Sequence, residues 1–157
     1  MAGAAAAAML YVKPMLEPSA MLPRCLIAAF ASLVAVPALA NQLAVEVSGI
    51  SDIRGALMVA VYDSPEAFDG GGKPVAAQRA EVGGETVVVT FSELAPGEHA
   101  VKLYHDANGN GELDRNMLGL PSEGYGFSNN GGRYGPPAFE EARFTIDGDT
   151  RISVRLR

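Results

Sequence analysis

The sequence predicts an all-β domain, an antiparallel immunoglobulin-like or transthyretin-like β-sandwich of about seven strands with one long Gly-rich loop. Three observations predict it. Apolar residues recur at every second position in several short segments, tight-turn residues separate those segments, and helical periodicity is almost absent.

The segments follow in order. Leu43, Val45 and Val47 alternate with Ala44, Glu46 and Ser48, a strand with one wet face that Gly49 ends. Gly55 to Tyr62 sets Leu57, Val59 and Val61 against Ala56, Met58 and Ala60, and a strand apolar on both faces is a central one. Ser64-Pro65-Glu66-Ala67-Phe68 reads as one helical turn, with Ser64 as cap, Pro65 at the first position and Gly70-Gly71-Gly72 closing it. Ala76 to Val82 is a weaker strand. Thr86 to Phe91 and His99 to His105 are strong ones, joined through the Leu94-Ala95-Pro96-Gly97 turn. Ala142 to Ile146 and Arg151 to Leu156 are the final pair, with Asp147-Gly148-Asp149 as the hairpin turn between them. In the last strand Ile152, Val154 and Leu156 are expected to face the core, while Arg151, Ser153, Arg155 and Arg157 face water as a charged edge that resists aggregation.

Residues 1–40 are expected to be a leader. From Met21, the expected true start, one cation (Arg24) precedes the apolar run Cys25 to Val36, then Pro37 and Ala38-Leu39-Ala40, the order of a secretory signal peptide cut before Asn41. Residues 41–157 then form a single β-sandwich domain, periplasmic or secreted. The only cysteine, Cys25, lies in the leader behind Leu22-Pro23-Arg24, which is no lipid-attachment signal. The mature domain therefore has neither disulfides nor thiolate ligands, and its stability comes from its core, helped by any oxygen-ligated cation.

The 157-residue chain is 48% apolar and 19% charged with a formal net charge of -6, a globular composition. No Lys/Arg block supplies the basic footprint that phosphate backbones require, which excludes nucleic acid as a partner. Outside the leader no apolar run has the length of a transmembrane anchor.

Residues 106–138 interrupt the regular spacing with eight glycines. Loops of this length in a compact domain are usually functional or disordered, and Met117, Leu118, Leu120, Tyr125, Phe127 and Tyr134 give this one the apolar material to pack as an ordered loop. Its first part, Asp106-Ala107-Asn108-Gly109-Asn110-Gly111-Glu112-Leu113-Asp114, follows a calcium loop: oxygen-bearing side chains at alternate positions, a pivot at Gly111, the Glu112 carbonyl, and Leu113 as anchor to the core. Met117 stands where an EF-hand has a bidentate Glu. Asp114, Glu123 or water are the candidates for the missing ligands, and with two of the three early ligands neutral the expected affinity is weak, about 10⁻⁴ to 10⁻³ M. The same Asn-Gly-Asn-Gly run also serves as a plain turn former without an ion. Its second part, Gly119 to Asn130, alternates glycines around Tyr125 and Phe127, whose rings pack inward or, with Tyr134, form a binding surface.

A leading amphipathic strand, a Gly-started strand ending in Tyr62-Asp63, Phe91 before a Leu-x-Pro-Gly turn, then His105-Asp106-x-Asn108-x-Asn110-x-x-Leu113-Asp114 and Gly119-x-Pro121-x-Glu123-Gly124-Tyr125-Gly126-Phe127-Ser128 resemble the bacterial domain of unknown function 2141 family over nearly all of residues 42–157. The resemblance implies an exported β-sandwich-like protein and carries over no catalytic residues.

Adjacent strand residues project to opposite faces, so His105 and Asp106 are not expected to form a dyad. No nucleophile elbow, His-Glu-x-x-His motif or phosphate-cradling loop is present, and two histidines alone underligate a transition metal. The expectation is a non-catalytic module, calcium its one possible cofactor, whose loop binds an envelope protein or a glycan. The alternatives are a structural accessory domain without ligand and a hydrolase using His105.

Overall fold

The computed structural model describes residues 41–157; the expected leader and its cleavage triplet lie outside the described residues. The alternation of β1 (Asn41–Ser48) buries Leu43, Val45 and Val47 completely, and they face Leu57, Val59 and Val61 of β2 (Ala56–Tyr62) and Val101 and Leu103 of β5 (Gly97–Asp106) across the core. Each such side chain stabilises by about 1.5–3 kcal/mol relative to exposure. The remaining strands are β3 (Ala76–Glu81), β4 (Thr86–Leu94), β6 (Tyr125–Phe127), β7 (Phe144–Ile146) and β8 (Thr150–Arg155). They form two sheets packed as a sandwich: β4-β1-β8, and a five-stranded sheet β3-β2-β5-β6 in which β7 also pairs with β5.

The short helix α1 (Pro65–Gly70) has the expected cap: the Ser64 hydroxyl accepts from the Ala67 N–H at 3.4 Å, and Gly71 ends the turn at φ 72°. Its Phe68 is fully buried on the outer side of the five-stranded sheet, edge-on to Tyr62, Phe127 and Phe139. This second aromatic cluster, with Ala100 and Ala142, fastens α1 and α2 (Phe139–Ala142) to the sheet.

Four expectations need correction. Asp147-Gly148-Asp149 does not close a hairpin: β7 pairs with β5 in one sheet and β8 pairs with β1 in the other, so this turn is a corner between sheets. Turn composition is the same for a hairpin and a corner, and the sequence does not separate them. The β1–β8 pair is parallel, within an otherwise antiparallel fold. Ala142 belongs to α2, because Phe139 and Ala142 pack together against Phe68 at helical rather than strand spacing. The long loop also contains a strand, β6, whose three residues are too few for a period-2 pattern to stand out. A helix long and apolar enough to cross a membrane is absent among the described residues.

Candidate functional site

Period-2 geometry places a second set of side chains on the outer face of the five-stranded sheet. Register puts Arg79, Met58, Tyr104 and Tyr125 side by side across β3, β2, β5 and β6, and Ala77, Ala60, Lys102 and Phe127 in the next row. Two alanines between large neighbours leave a hollow. It is a groove of about 550 Å3, closed on the loop side by Leu113, Arg115 and Pro136 and at one end by Tyr62.

Lys102 is the notable charge. Its ammonium donates to the Phe68 carbonyl and lies 4.2 Å from the Phe68 ring centre and 5.3 Å from that of Tyr62. Among the described residues it has no ion-pair partner. Burial pushes its pKa below the ordinary lysine value, with the Asp69 charge pulling partly the other way. Burial likewise raises the Tyr104 phenol, helped by the negative charges of Asp106, Glu123 and Glu112.

Tyr104 joins the groove to the loop by donating to the Gly111 carbonyl at 2.7 Å. The loop turns at Gly109 and Gly111, which take φ of 79° and 81°, values that favour glycine. The Asp106 carboxylate, 1% exposed, holds the turn: one oxygen accepts from the Gly109 and Asn110 N–H groups at 2.8 and 3.1 Å, the other from Gly111 at 2.9 Å. Glu123 does the same across the loop, accepting from the N–H groups of Ala107 and Asp114. The Asn108 and Asn110 amides donate to the Asp114 carboxylate at 2.6 and 2.9 Å, while their oxygens accept from the Asn110 and Glu112 N–H groups. Thus Asp106, Asn108, Asn110, Asp114 and Glu123 do come together, and Glu112, expected to offer its carbonyl, contributes its backbone N–H as a donor to the Asn110 side chain. In this arrangement their oxygens serve backbone N–H and amide donors, and no group of three or more His, Cys, Asp or Glu among the described residues is placed to hold a metal.

The other predicted residues divide. Leu113 is half-buried and lines the groove instead of entering the core, because the loop lies on the outer face of the sheet. Tyr125 is half-buried and Phe127 buried, both lining the groove; Tyr134 is 94% exposed. Met117, Leu118 and Leu120, expected to pack, are 104%, 82% and 58% exposed. They crown a turn held by Asn116, whose side chain accepts from Leu118 and Leu120 and whose backbone bonds Gly119 and Leu120. Sequence reasoning read the turn chemistry but not its direction, since apolar loop residues carry no sign of which way they face.

His105 is buried and its ring N–H donates to the Arg54 carbonyl at 2.7 Å, so it tethers the β1–β2 connection, while its backbone N–H bonds the long loop at Gly124. The Asp106 carboxylate is engaged with its own loop. Of the arginine row, Arg151 pairs with Glu46, but the Arg157 guanidinium stacks 5.2 Å from Tyr125 and 5.5 Å from Phe127 and donates to Gly131, so its planar face covers rings rather than pointing wholly to water. Sequence reasoning missed Ser128. This fully buried hydroxyl accepts from the Val101 N–H and donates to the Ala142 carbonyl, bridging β5 between its partners β6 and β7.

Among families of known proteins, the model described as an uncharacterized protein conserved in bacteria (DUF2141) matches residues 45–153. No curated protein and no solved structure matches the chain. The span of that match takes in the second half of β1, the groove strands, the whole long loop and the first four residues of β8, and the chain belongs to the DUF2141 family.

Proposed function

We propose that the protein is an exported, non-catalytic β-sandwich module that docks on another envelope protein through the tip of its long loop. The observation that carries this reading is the tip itself: three large apolar side chains held outward on a hydrogen-bonded turn. A turn already ordered loses little further entropy on binding, and apolar surface of this kind is more typical of an interaction site than of a lone monomer face. Methionine and leucine offer no partner for sugar hydroxyls, which favours a protein over a glycan. The apolar run Cys25 to Val36 before a small-residue triplet supports export.

A photo-crosslinking side chain at Leu118 is expected to give a discrete adduct in cells that a probe at Ser153 does not, and the adduct disappears when Met117 and Leu120 are changed to Asp. Identical patterns at positions 118 and 153 would remove the docking reading.

Calcium is the second part of the proposal. An ion among Asn108, Asn110 and Asp114 displaces the amide–carboxylate bonds, turning amide oxygens inward in place of nitrogens, and that exchange keeps affinity near millimolar. At about five times Kd, binding to the native state adds about 1 kcal/mol. Thermal melts in about 5 mM calcium against chelator are expected to differ by several degrees; superimposable melts would leave the loop a purely self-bonded turn.

A further inference from the structure

The groove is a different matter from the loop tip, and the geometry points to a small-molecule site: it binds an amphipathic carboxylate, a free aliphatic acid of the fatty-acid type, with the chain in the hollow over Ala60 and Ala77 and the carboxylate against the Lys102 ammonium.

The groove is complementary in charge to such an anion. In a chain of formal net charge -6, the groove is lined by Arg79, Lys102 and Arg115 and by no carboxylate. Arg79 is already paired with Glu81, and Arg115 donates to the Gly119 carbonyl. Lys102 makes one hydrogen bond, to the Phe68 carbonyl, and its contacts with the two rings are cation–π, so two of its three N–H donors are free for an acceptor. The ammonium is half-buried and forms no ion pair among the described residues: the Asp69 charge supports it only in part, its carboxylate accepting from the Phe139 N–H, and an incoming anion would add to that support.

The hollow also suits the body of such a ligand. The hollow is bounded by Met58, Ala60, Ala77, Leu113 and Pro136, and its volume of about 550 Å3 lies in the range of small-ligand pockets. Of the strands that floor it, β2 and β5 are interior to the sheet, with their backbone groups committed to neighbouring strands, and the edge strand β3 directs its free backbone groups along the plane of the sheet, not up into the hollow. A peptide lying here would leave its own N–H and C=O groups unpaired against apolar side chains, at a cost that a hydrocarbon chain does not incur.

Titration of the purified protein with decanoate, followed by NMR shifts or calorimetry, is expected to show saturable binding. Butyrate, which lacks the chain, and decyltrimethylammonium, which reverses the charge, are expected to bind at least about tenfold more weakly. Lys102→Met keeps the stem but removes the charge and is expected to weaken decanoate binding about tenfold or more, the worth of one charge-assisted hydrogen bond, with Lys102→Arg restoring most of it. Ala77→Trp fills the hollow from an exposed position and is expected to abolish binding with the thermal midpoint unchanged, which keeps the test valid if Lys102→Met fails to fold. Leu118→Asp, which disables the proposed docking tip, is expected to leave decanoate binding intact. No binding, equal binding of decanoate and decyltrimethylammonium, or loss of decanoate binding in Leu118→Asp would each overturn the proposal. So would tighter, Lys102-dependent binding of a Glu-Leu-Glu-Phe-Glu peptide, which would make the occupant a protein segment.

Discussion

Asp106→Asn is expected to destabilise the protein by about 2–3 kcal/mol, although it changes one atom and almost no volume. The carboxylate is buried at the end of β5 and accepts from three backbone N–H groups, one oxygen from Gly109 and Asn110, the other from Gly111. An amide has a single oxygen. Whichever way it is turned, its NH2 group meets at least one N–H head-on, a donor against a donor, and the charge assistance to the rest is lost. Leaving a buried donor unsatisfied costs about 1–3 kcal/mol, and hydrogen bonds to a charged acceptor are worth about twice neutral ones. In a domain of this size the thermal midpoint is expected to fall by about 10 °C. Hydrogen exchange is expected to rise first at Gly109, Asn110 and Gly111, ahead of the sheet. Glu123→Gln serves as the comparison: Glu123 is half-buried and accepts from two N–H groups, so a smaller loss of about 1 kcal/mol is expected. Equal stability of Asp106→Asn and the parent in urea would mean that the turn is set by its glycines alone.

That carboxylate also marks the limit of what was legible in the sequence. The strands with alternating patterns, β1, β2, β4, β5 and β8, stand where period-2 reading puts them, because burial of one face forces that pattern. The Ser64-Pro65 start of α1 was legible for the same kind of reason, since capping is a local interaction between neighbours. The oxygen-rich run from Asp106 was legible as a centre, and its groups do converge. What they converge on in the structure is backbone N–H, and the sequence pattern is shared by both outcomes. The groove was not legible at all. It arises from Ala60 and Ala77 lying side by side in register, and from Lys102 meeting Phe68, contacts between residues distant in sequence whose individual identities carry no message. The parallel β1–β8 pairing was hidden for a related reason: period-2 alternation states which face is buried, not which strand lies alongside.

Gly126→Val is expected to cost about 3 kcal/mol or more, and the reason lies between the sheets. Gly126 is the central residue of β6, with Tyr125 and Phe127 projecting outward to the groove and its own missing side chain directed inward at β8. A Cβ there would stand 2.7 Å from a Val154 methyl and 3.2 Å from the Arg155 carbonyl oxygen. Val154 is fully buried and β-branched, so its χ1 is restricted and packed on every side, and the carbonyl belongs to the main chain. Overpacking of this type costs about 1–3 kcal/mol for small insertions, and valine adds two further methyls to the clash. Gly126→Ala is therefore expected to lose about 1–2 kcal/mol, and combination with Val154→Ala should recover part of it. Because the two residues touch, the double variant is expected to be more stable than the sum of the singles by about 1 kcal/mol, well outside the additivity of distant sites. Strict additivity in chemical denaturation would show that β6 shifts away from β8 without penalty. The same displacement moves Tyr125 and Phe127, the wall of the groove, so the close approach that only glycine permits at position 126 fixes the sandwich and the shape of its outer hollow together.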